Sequence, residues 1–520
     1  MVVFKIFSLI FVILLLGFAV DIVVGNTLIF GRGGDSVGLD PAHEEDGESF
    51  KVCENIYDTL VQYAEDSTDI QPALAESWET SADGLIWRFH LRRGIKFHDE
   101  TDFNAEAVLF SLNRQHQSQH PFHKVGGPYI YWTDSGLAAV VDQISAEDTY
   151  TIRIVLKSPY APFIYALAMP SFSIVSPVAA RKWREDFTNH PVGTGAFKFV
   201  RWDRNDKVVL QANQDYWAGR PKIDQLIFRS IPDNSVRLLE LQNGSIQAME
   251  FPNPDDLVII RSDPNLRVIE QPGMNVGYLA MNFDKVPFNN RQVRLAINHA
   301  INKSDIIGQL YQGMGIPAKN PIPPTMWSYD ETTTDYSYDP ELSKKLLTAA
   351  GYANGFETEL WALPVPRPYI PDGNALAVAI QSDLRRVGIE TKIVTYDWGT
   401  YLEKTKNGDH TMAMLGWSAD FADPDNFFYY LLSKNSARKP AGNIAFYRSE
   451  EMQEILDQAR STTDLATRIK LYKRAQLVFN RDLPWVPLAH AKQMLIIHKS
   501  VKNVKLHSTT FKYFRRISLD

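Results

Sequence analysis

A serine flanked by glycines is the first candidate for catalytic chemistry. The stretch GDSVG at 34–38 matches the G-x-S-x-G nucleophile elbow of serine hydrolases. That elbow needs a helix directly after the serine, which presents the hydroxyl on a sharp turn. Gly38 and Pro41 follow Ser36 instead, and they favour a loop. A peptide hydrolase therefore stays only as a less favoured alternative.

Two other segments have partial metal-ligand spacing. Three aspartates, Asp420, Asp423 and Asp425, lie close together as in a calcium loop, but Pro424 interrupts them and an EF-hand would also need its glycine and terminal glutamate. Three histidines lie within 116–123, a polar stretch that is more typical of a solvated surface than of a metal site. We therefore expect neither a metal site nor a cofactor.

The composition narrows the classes of protein that remain. The chain has 520 residues, a formal charge of −7 and 61 aromatic side chains, which excludes intrinsic disorder. The slightly acidic balance provides no positive field for nucleic acid, so we expect no nucleic-acid partner. Cys53 is the single cysteine, which rules out an intrachain disulfide and any site built from several thiolates.

The N-terminus has the three-part pattern of a secretory signal. Lys5 supplies a positive charge, residues 6–20 form an almost unbroken apolar run, and 23–25 place small residues at a cleavage site. Asp21 ends the run short of the roughly 20 residues of a membrane span, which argues against a permanent anchor. We expect cleavage near Gly25. No cysteine near that site could carry a lipid, so a free periplasmic protein is predicted.

Strands and helices are mixed along the rest of the chain. Asp83-Gly84 predicts the tight turn of a hairpin at 78–92. Asn104, Asn290 and Asp339 have the type and position of helix N-caps. We predict strands at 27–30, 207–210 and 390–396, and helices that start near 104 and span 290–301, 339–351, 375–387, 450–459 and 465–479. This mixture predicts an α/β architecture with more than one lobe.

Several stretches of the chain resemble the bacterial extracellular solute-binding proteins of the peptide-binding family, family 5. The most specific are LWALPVPRPY, IVTYDWG and LGWSADFADPDNF, and they resemble the dipeptide-binding branch more than the oligopeptide or nickel branches. The similar stretches are 72–78, 91–98, 191–195, 272–279, 319–327, 360–369, 393–399 and 415–427.

This resemblance implies a type II clamshell of two lobes that closes over its ligand. It implies a signal peptide at 1–25, a discontinuous lobe I at 26–272 plus 495–520 with an extra subdomain at roughly 60–190, and lobe II at 273–494. The implied protein is a monomer and not an enzyme. It binds dipeptides in the periplasm and delivers them to an inner-membrane ABC permease with its ATPase subunits.

The resemblance also implies ligand-binding residues. Asp420 matches the family aspartate that pairs with the ligand ammonium, and Arg367 matches the arginine that grips the ligand carboxylate. A guanidinium suits that role because it donates two parallel hydrogen bonds. The segments Arg367-Pro368-Tyr369 and Trp417-Ser418-Ala419-Asp420 would be binding strips whose backbone pairs with an extended peptide.

A third strip is expected in lobe I at Glu45-Asp46-Gly47. The sequence departs there from the dipeptide-binding pattern, in which small hydroxyl residues are expected. The two acids either bias the site toward cationic side chains or face water, and exposure is the default for such residues.

Other cargo remains an alternative on the same fold. Haem, an antimicrobial peptide, a cell-wall peptide or a metal chelate would need no pairing of Asp420 and Arg367 with the two ends of a dipeptide. Haem would also need an axial ligand, which the sequence does not place.

Overall fold

The structure is a computed structural model that describes residues 26–509 and 514–520. The predicted signal sequence at 1–25 lies outside the described residues. Twenty strands are described: β1 Thr27–Arg32, β2 Val61–Tyr63, β3 Ile70–Pro72, β4 Ala75–Thr80, β5 Ile86–Leu91, β6 Val141–Asp148, β7 Thr151–Leu156, β8 Phe197–Asp203, β9 Lys207–Ala212, β10 Gln225–Ser230, β11 Ala248–Glu250, β12 Leu266–Pro272, β13 Asn275–Met281, β14 Gly315–Pro317, β15 Phe356–Trp361, β16 Ile389–Val394, β17 Met412–Ser418, β18 Trp485–His498, β19 Val501–Lys502 and β20 Ser518–Leu519.

Most of the described α-helices are short, and few exceed three turns. They are α1 Gly47–Ile56, α2 Ala105–His116, α3 Ile130–Asp134, α4 Leu137–Val140, α5 Phe163–Ala166, α6 Pro177–Trp183, α7 Asn234–Gln242, α8 Leu257–Ser262, α9 Arg291–Ala300, α10 Lys303–Tyr311, α11 Pro340–Ala349, α12 Gly373–Arg385, α13 Trp398–Lys406, α14 Asp425–Leu432, α15 Glu450–Ser461 and α16 Leu465–Asp482. In the part of the chain that the structure describes, none of these helices is both long and apolar enough to cross a membrane.

A mixed sheet of twelve strands is the largest structural element of the described chain. Its order is β16-β15-β17-β13-β18-β11-β1-β10-β9-β8, and β12 and β14 also pair with β18. Parallel pairs, such as β1 with β10 and β15 with β16, occur in the same sheet as antiparallel pairs, such as β13 with β17. A mixed sheet with helices between its strands is the α/β architecture that the sequence predicts.

Strand β18 joins the two halves of this sheet. Its first part pairs with β13 and β14 up to Ala491, and its second part pairs with β12 from Lys492 onward. The chain crosses between the same halves a second time where β12 ends and β13 begins, at Gly273-Met274. The Gly273 N–H donates to the Ala491 carbonyl at 3.2 Å, so the two crossings lie side by side.

A separate antiparallel sheet, β4-β5-β7-β6, lies within residues 75–156. It falls inside the segment at roughly 60–190 that the resemblance assigns to an extra subdomain. Its inward side chains, Phe89 and Ile154 among them, belong to the same buried cluster as Tyr278 and Phe427 of the large sheet's neighbourhood. The small sheet therefore packs onto the rest of the molecule and helps to enclose the space between.

Most local predictions are confirmed. The hairpin turns at Asp83-Gly84, and the side chains of Asn104, Asn290 and Asp339 each accept a hydrogen bond from a backbone N–H at the start of α2, α9 and α11. The strand predicted at 27–30 extends two residues further, since β1 ends at Arg32.

Strand β1 continues through Gly31 because this glycine is paired on both sides, with β10 and with β11. A Cβ at this position would lie 2.5 Å from the Ile246 side chain. The glycine therefore permits close packing and does not end the strand.

Candidate ligand-binding site

A cavity of about 670 Å³ lies between the small-sheet region and the β13–β17 half of the large sheet. Helix α3 forms one wall, while β17, α13 and α14 form the others. Aromatic side chains dominate its surface: Tyr131, Tyr160, Tyr278, Tyr369, Trp398, Trp417, Phe421, Tyr429 and Tyr430. Such a space, largely apolar with a few polar groups, is typical of a small-ligand site.

Asp420 lies in this wall, in the loop between β17 and α14. The Tyr131 hydroxyl donates to its Oδ1 at 3.1 Å, and the Asn426 amide donates to its Oδ2 at 3.1 Å. The Asn426 carbonyl oxygen in turn accepts from the backbone N–H of Asp420 at 3.0 Å and from the Trp417 indole at 2.8 Å. The carboxylate is thus fixed in orientation by two different parts of the chain.

The Asp420 carboxylate has no cation at ion-pair distance among the described residues. Burial raises the pKa of Asp420 to about 6, and Asp134 adds to the rise, whereas the hydrogen bonds from Asn426 and Tyr131 lower it. A carboxylate that is desolvated and oriented but not neutralised is suited to receive a cation.

The strip Trp417-Ser418-Ala419 continues β17 toward Asp420. Trp417 stacks on Tyr430, with ring centroids 4.4 Å apart, and both line the cavity together with Ser418. Ala419 is buried behind the surface, and its N–H donates to the Met274 carbonyl at 2.8 Å. Since the N–H groups of Ala419 and Asp420 are already used, an added peptide strand would have to pair with the residues before them.

The strip Arg367-Pro368-Tyr369 forms a tight turn closed by two backbone hydrogen bonds between Arg367 and Ile370. Tyr369 lines the cavity, whereas Pro368 is exposed outside it. Arg367 itself is not in the cavity wall. Its guanidinium carbon lies 4.3 Å from the ring centroid of Trp398, which does line the cavity. In the described chain the Arg367 side chain makes no ion pair, so the cation at this rim is available.

Two glycines seat Tyr369 against the sheet. Gly277 of β13 and Gly416 of β17 are cross-strand partners. A Cβ on Gly416 would lie 2.2 Å from the Tyr369 ring, and one on Gly277 would lie 2.7 Å from the Tyr369 carbonyl oxygen. The Tyr311 hydroxyl donates to that same oxygen at 2.6 Å. Because neither glycine has a side chain, the ring and the backbone of Tyr369 can lie directly against β13 and β17.

The third predicted strip is divided by the structure. Glu45 lines the cavity and is exposed to it. Asp46 instead caps helix α1, where its carboxylate accepts from the Ser49 N–H at 2.9 Å, and Gly47 is the first helical residue. Of the ten predicted residues, five are in the cavity wall: Glu45, Tyr369, Trp417, Ser418 and Asp420.

Sequence reasoning missed several polar groups of the cavity. Asp134, at the end of α3, and Lys406, at the end of α13, both line it. Asp425 and Arg460 also line it, but they pair with each other at 3.0 Å. Asn426 lies inside the motif at 415–427 and could have been found there, whereas nothing near residue 134 in the sequence indicates a cavity.

The serine of the GDSVG stretch has a structural role. Ser36 is buried, accepts from the Arg32 guanidinium at 3.0 Å and donates to the Glu48 carbonyl at 3.2 Å. The next helix, α1, begins only at Gly47, so the turn lacks the geometry of a nucleophile elbow.

The three aspartates within 420–425 are each bound by different side chains. Asp423 pairs with Arg468 through two short contacts, and Asp425 pairs with Arg460. Within residues 26–509 and 514–520, no group of three or more histidine, cysteine or carboxylate side chains is arranged to hold a metal ion.

Comparison with known proteins shows that this chain is similar to solute-binding proteins of bacteria. A profile described as "Bacterial extracellular solute-binding proteins, family 5 Middle" matches residues 69–439. A dipeptide-binding protein of Escherichia coli K12 is 38% identical over 511 residues, covering 96% of this chain and 95% of that protein. Heme-binding protein A of Haemophilus influenzae is 39% identical over 508 residues, covering 95% and 92%.

A solved structure extends this similarity to three dimensions. An ABC transporter-associated periplasmic binding protein from Helicobacter pylori, in complex with the peptide STSA, superposes with a TM-score of 0.83. It is 40% identical to this chain, and the match covers 95% of this chain and 98% of the other.

Proposed function

Because this chain belongs to the bacterial extracellular solute-binding proteins of family 5, we propose that it captures dipeptides in the cavity between its two lobes. The family and the two-lobed α/β fold predicted from the sequence are both confirmed by the relatives. In the proposed role the protein acts in the periplasm as a monomer. It passes its ligand to an inner-membrane ABC permease and its ATPase subunits, and it performs no chemistry.

The observation that carries this proposal is the state of Asp420. Its oxygens accept hydrogen bonds from Tyr131 and Asn426, and no cation of the described chain neutralises it. A peptide ammonium would supply the missing positive charge and three further donors. The pKa of Asp420 would then fall, because the nearby cation favours the ionised carboxylate.

Arg367 is the proposed partner of the ligand carboxylate. Its guanidinium lies over the Trp398 ring beside the cavity and makes no ion pair within the described residues. A fork of N–H donors held by an aromatic face is a suitable clamp for a carboxylate. A site with an anion at one end and a cation at the other selects zwitterions of limited length.

In this proposal the three residues of the third strip have different roles. Glu45 faces the ligand space, whereas Asp46 and Gly47 hold the start of helix α1 behind it. Pro368 and Ala419 likewise shape the strips without reaching the cavity surface.

Haem is the second candidate ligand, since a haem-binding relative is as similar to this chain as the dipeptide-binding one. Haem would leave the opposed charges of Asp420 and Arg367 without a matching pair of ligand groups. The aromatic walls would serve either ligand, so the two candidates are best separated by binding measurements.

A thermal-shift experiment on the purified protein lacking residues 1–25 tests the proposal. The ligands are Ala-Ala, Ala-Ala-Ala, N-acetyl-Ala-Ala, Ala-Ala-amide and haemin, because a ligand that binds only the folded state raises the melting temperature. We expect stabilisation by Ala-Ala and a much smaller shift with either capped form. A shift with haemin alone would contradict the peptide assignment.

A further inference from the structure

The cavity contains two carboxylates that the dipeptide backbone does not use. Glu45 lies in the loop before α1, and Asp134 is the last residue of α3. Both line the cavity and both are exposed to it. The two side chains make no hydrogen bond or ion pair within the part of the chain that the structure describes.

Lys406, a cation that lines the same cavity, does not neutralise them. Lys406 lies on the opposite wall, at the end of α13, and its Nζ is farther than 4.0 Å from both carboxylates. Its charge is nevertheless felt there, since Lys406 lowers the pKa of Glu45 and of Asp134. For both groups the net pKa shift is upward, with burial as the largest cause, and for Glu45 the charge of Asp134 is the next cause.

Asp134 lies at the ammonium end of the proposed site. It is three residues after Tyr131 on α3, so the two side chains are neighbours on one helix face. The Tyr131 hydroxyl is the group that contacts Asp420 at 3.1 Å. Asp134 also acts electrostatically on both Asp420 and Tyr430. The first side chain of a bound dipeptide leaves from the same Cα as the ammonium, and it would therefore point into this region.

The charges of the cavity wall do not cancel. Glu45, Asp134, Asp420 and Asp425 face two cations, which leaves two negative charges when all are ionised. The positive charge of Arg367 at the rim reduces this to one. A dipeptide with neutral side chains adds no net charge, whereas a ligand with a net charge of +1 balances the site.

We propose that Glu45 and Asp134 select dipeptides whose first residue carries a cationic side chain. This inference rests on the proposed function, since it assigns a side-chain preference to the same cavity. The aromatic wall supports it, because Tyr430, which lies within electrostatic reach of Asp134, offers an aromatic surface to the aliphatic stem and the cationic head of a lysine or arginine.

Calorimetric titration with matched dipeptides tests this assignment. Lysyl-alanine is compared with norleucyl-alanine, which has nearly the same shape without the charge, and with alanyl-lysine, glutamyl-alanine and Ala-Ala. We expect lysyl-alanine to bind about 5- to 30-fold more tightly than norleucyl-alanine, as for a partly screened ion pair. Glutamyl-alanine should bind most weakly, and alanyl-lysine should gain less than lysyl-alanine.

Variants identify the residues responsible. In the double variant Glu45→Gln/Asp134→Asn the ratio between lysyl- and norleucyl-alanine should fall toward one. The control variant Glu76→Gln/Asp142→Asn makes the same change of net charge at exposed positions outside the cavity, and it should keep the ratio.

The outcomes separate this inference from the proposed function. Binding of Ala-Ala without a preference for lysyl-alanine would overturn the inference alone, as would a preference that survives in the double variant. An equal preference for alanyl-lysine would overturn the assignment to the first residue. No binding of any peptide would overturn the proposed function and this inference with it.

Discussion

At the residue scale, the oxygens of Asp420 are the most informative atoms of the molecule. One oxygen is held by Tyr131 and the other by Asn426, which lies six residues further along the chain. These contacts orient the carboxylate but leave its charge unbalanced, because neither partner is a cation. The pKa of about 6 follows from that environment, with burial as the main cause.

We predict that peptide affinity depends on pH through Asp420. The ammonium binds the ionised carboxylate, so bound ligand lowers the pKa of Asp420 from about 6, and binding releases a proton at acidic pH. Affinity should be highest near pH 7 and should weaken about tenfold per pH unit below 6. It should also begin to fall near pH 8, because the peptide's own α-amino group, with a pKa of about 8, then loses its proton. Titration calorimetry between pH 4.5 and 8 measures this dependence. The nearby acid Asp134 contributes to it, because its charge adds to the rise in the pKa of Asp420.

The variant Asp420→Asn is the control for this pH profile. It should bind peptides weakly and without a step near pH 6. A step of unchanged size in this variant would assign the titration to another group.

Arg367→Ala should weaken binding of free dipeptides by about 2–5 kcal/mol, the range for truncating one partner of a hydrogen-bonded charge pair. The matched control is Arg438→Ala, which removes an exposed arginine outside the cavity. Calorimetry should also show that Ala-Ala-amide is insensitive to the Arg367 change. Equal affinity of both variants for Ala-Ala would remove Arg367 from the site.

The residues of this site differ in how far the sequence could predict them. Asp420, Trp417 and Ser418 were predicted because they lie in one contiguous motif, and the structure brings all three to the cavity. Tyr131 and Asp134 were not predicted. The contact between Tyr131 and Asp420 joins positions almost 290 residues apart, and such a contact has no signature in a single local segment.

At the element scale, the paired glycines of β13 and β17 determine the position of Tyr369 in the cavity wall. We predict that Gly416→Ala displaces Tyr369, because the new Cβ would lie 2.2 Å from its ring. Overpacking of this kind costs about 1–3 kcal/mol of stability. Peptide affinity should fall with it. Thermal unfolding and calorimetry on the same samples measure both effects.

The control for this substitution is Gly308→Ala in helix α10. Nothing lies within 4 Å of a Cβ at Gly308, so alanine should be neutral or stabilising there. A Gly416→Ala variant with the stability and affinity of this control would contradict the proposed seat of Tyr369.

The pair between Asp423 and Arg468 fixes α16 to the loop that carries Asp420. Both side chains are buried, and the Arg468 Nε also donates to the Ala459 carbonyl at the end of α15. Arg468→Ala should lower the free energy of unfolding by about 3–5 kcal/mol, because it leaves a buried carboxylate without its partner. Urea unfolding followed by circular dichroism measures the change.

An exposed ion pair provides the comparison. Arg220→Ala breaks the contact with Asp224 on the surface, and it should cost less than about 1 kcal/mol. Similar losses in the Arg220 and Arg468 variants would contradict a structural role for the buried pair.

Local signals predicted the elements better than they predicted the sheet. The N-caps and the Asp83-Gly84 turn are encoded within a few residues, and they were confirmed. The long strand β18 was not predicted, because its partners lie more than 150 residues earlier in the chain. Gly31 shows the opposite error, since a residue that breaks isolated strands is here required by the packing of Ile246.

At the scale of the whole molecule, two chain crossings connect the halves of the large sheet. We propose that Gly273-Met274 and Ala491-Lys492 form the hinge between lobes at 26–272 plus 495–520 and at 273–494. The pairing partners of β18 change three residues before the predicted boundary at 494. Short crossings that lie side by side permit a rotation of one lobe against the other with few changes of backbone angle.

Closure about this hinge would assemble the ammonium site from both lobes. Tyr131 comes from the segment assigned to the extra subdomain of lobe I, and Asp420 comes from lobe II. The hydrogen bond between them joins two walls of the cavity at one point, so a ligand at Asp420 would be contacted from both sides. We therefore propose that the peptide ammonium binds at Asp420.

A calorimetric cycle tests this claim most directly. Ala-Ala and N-acetyl-Ala-Ala are titrated into the wild-type protein and into Asp420→Asn. We predict that acetylation weakens binding to the wild-type protein by about 2–5 kcal/mol and has little further effect in the variant, because both changes remove the same interaction. If acetylation weakened binding equally in both proteins, the ammonium would not bind at Asp420 and the account would be wrong.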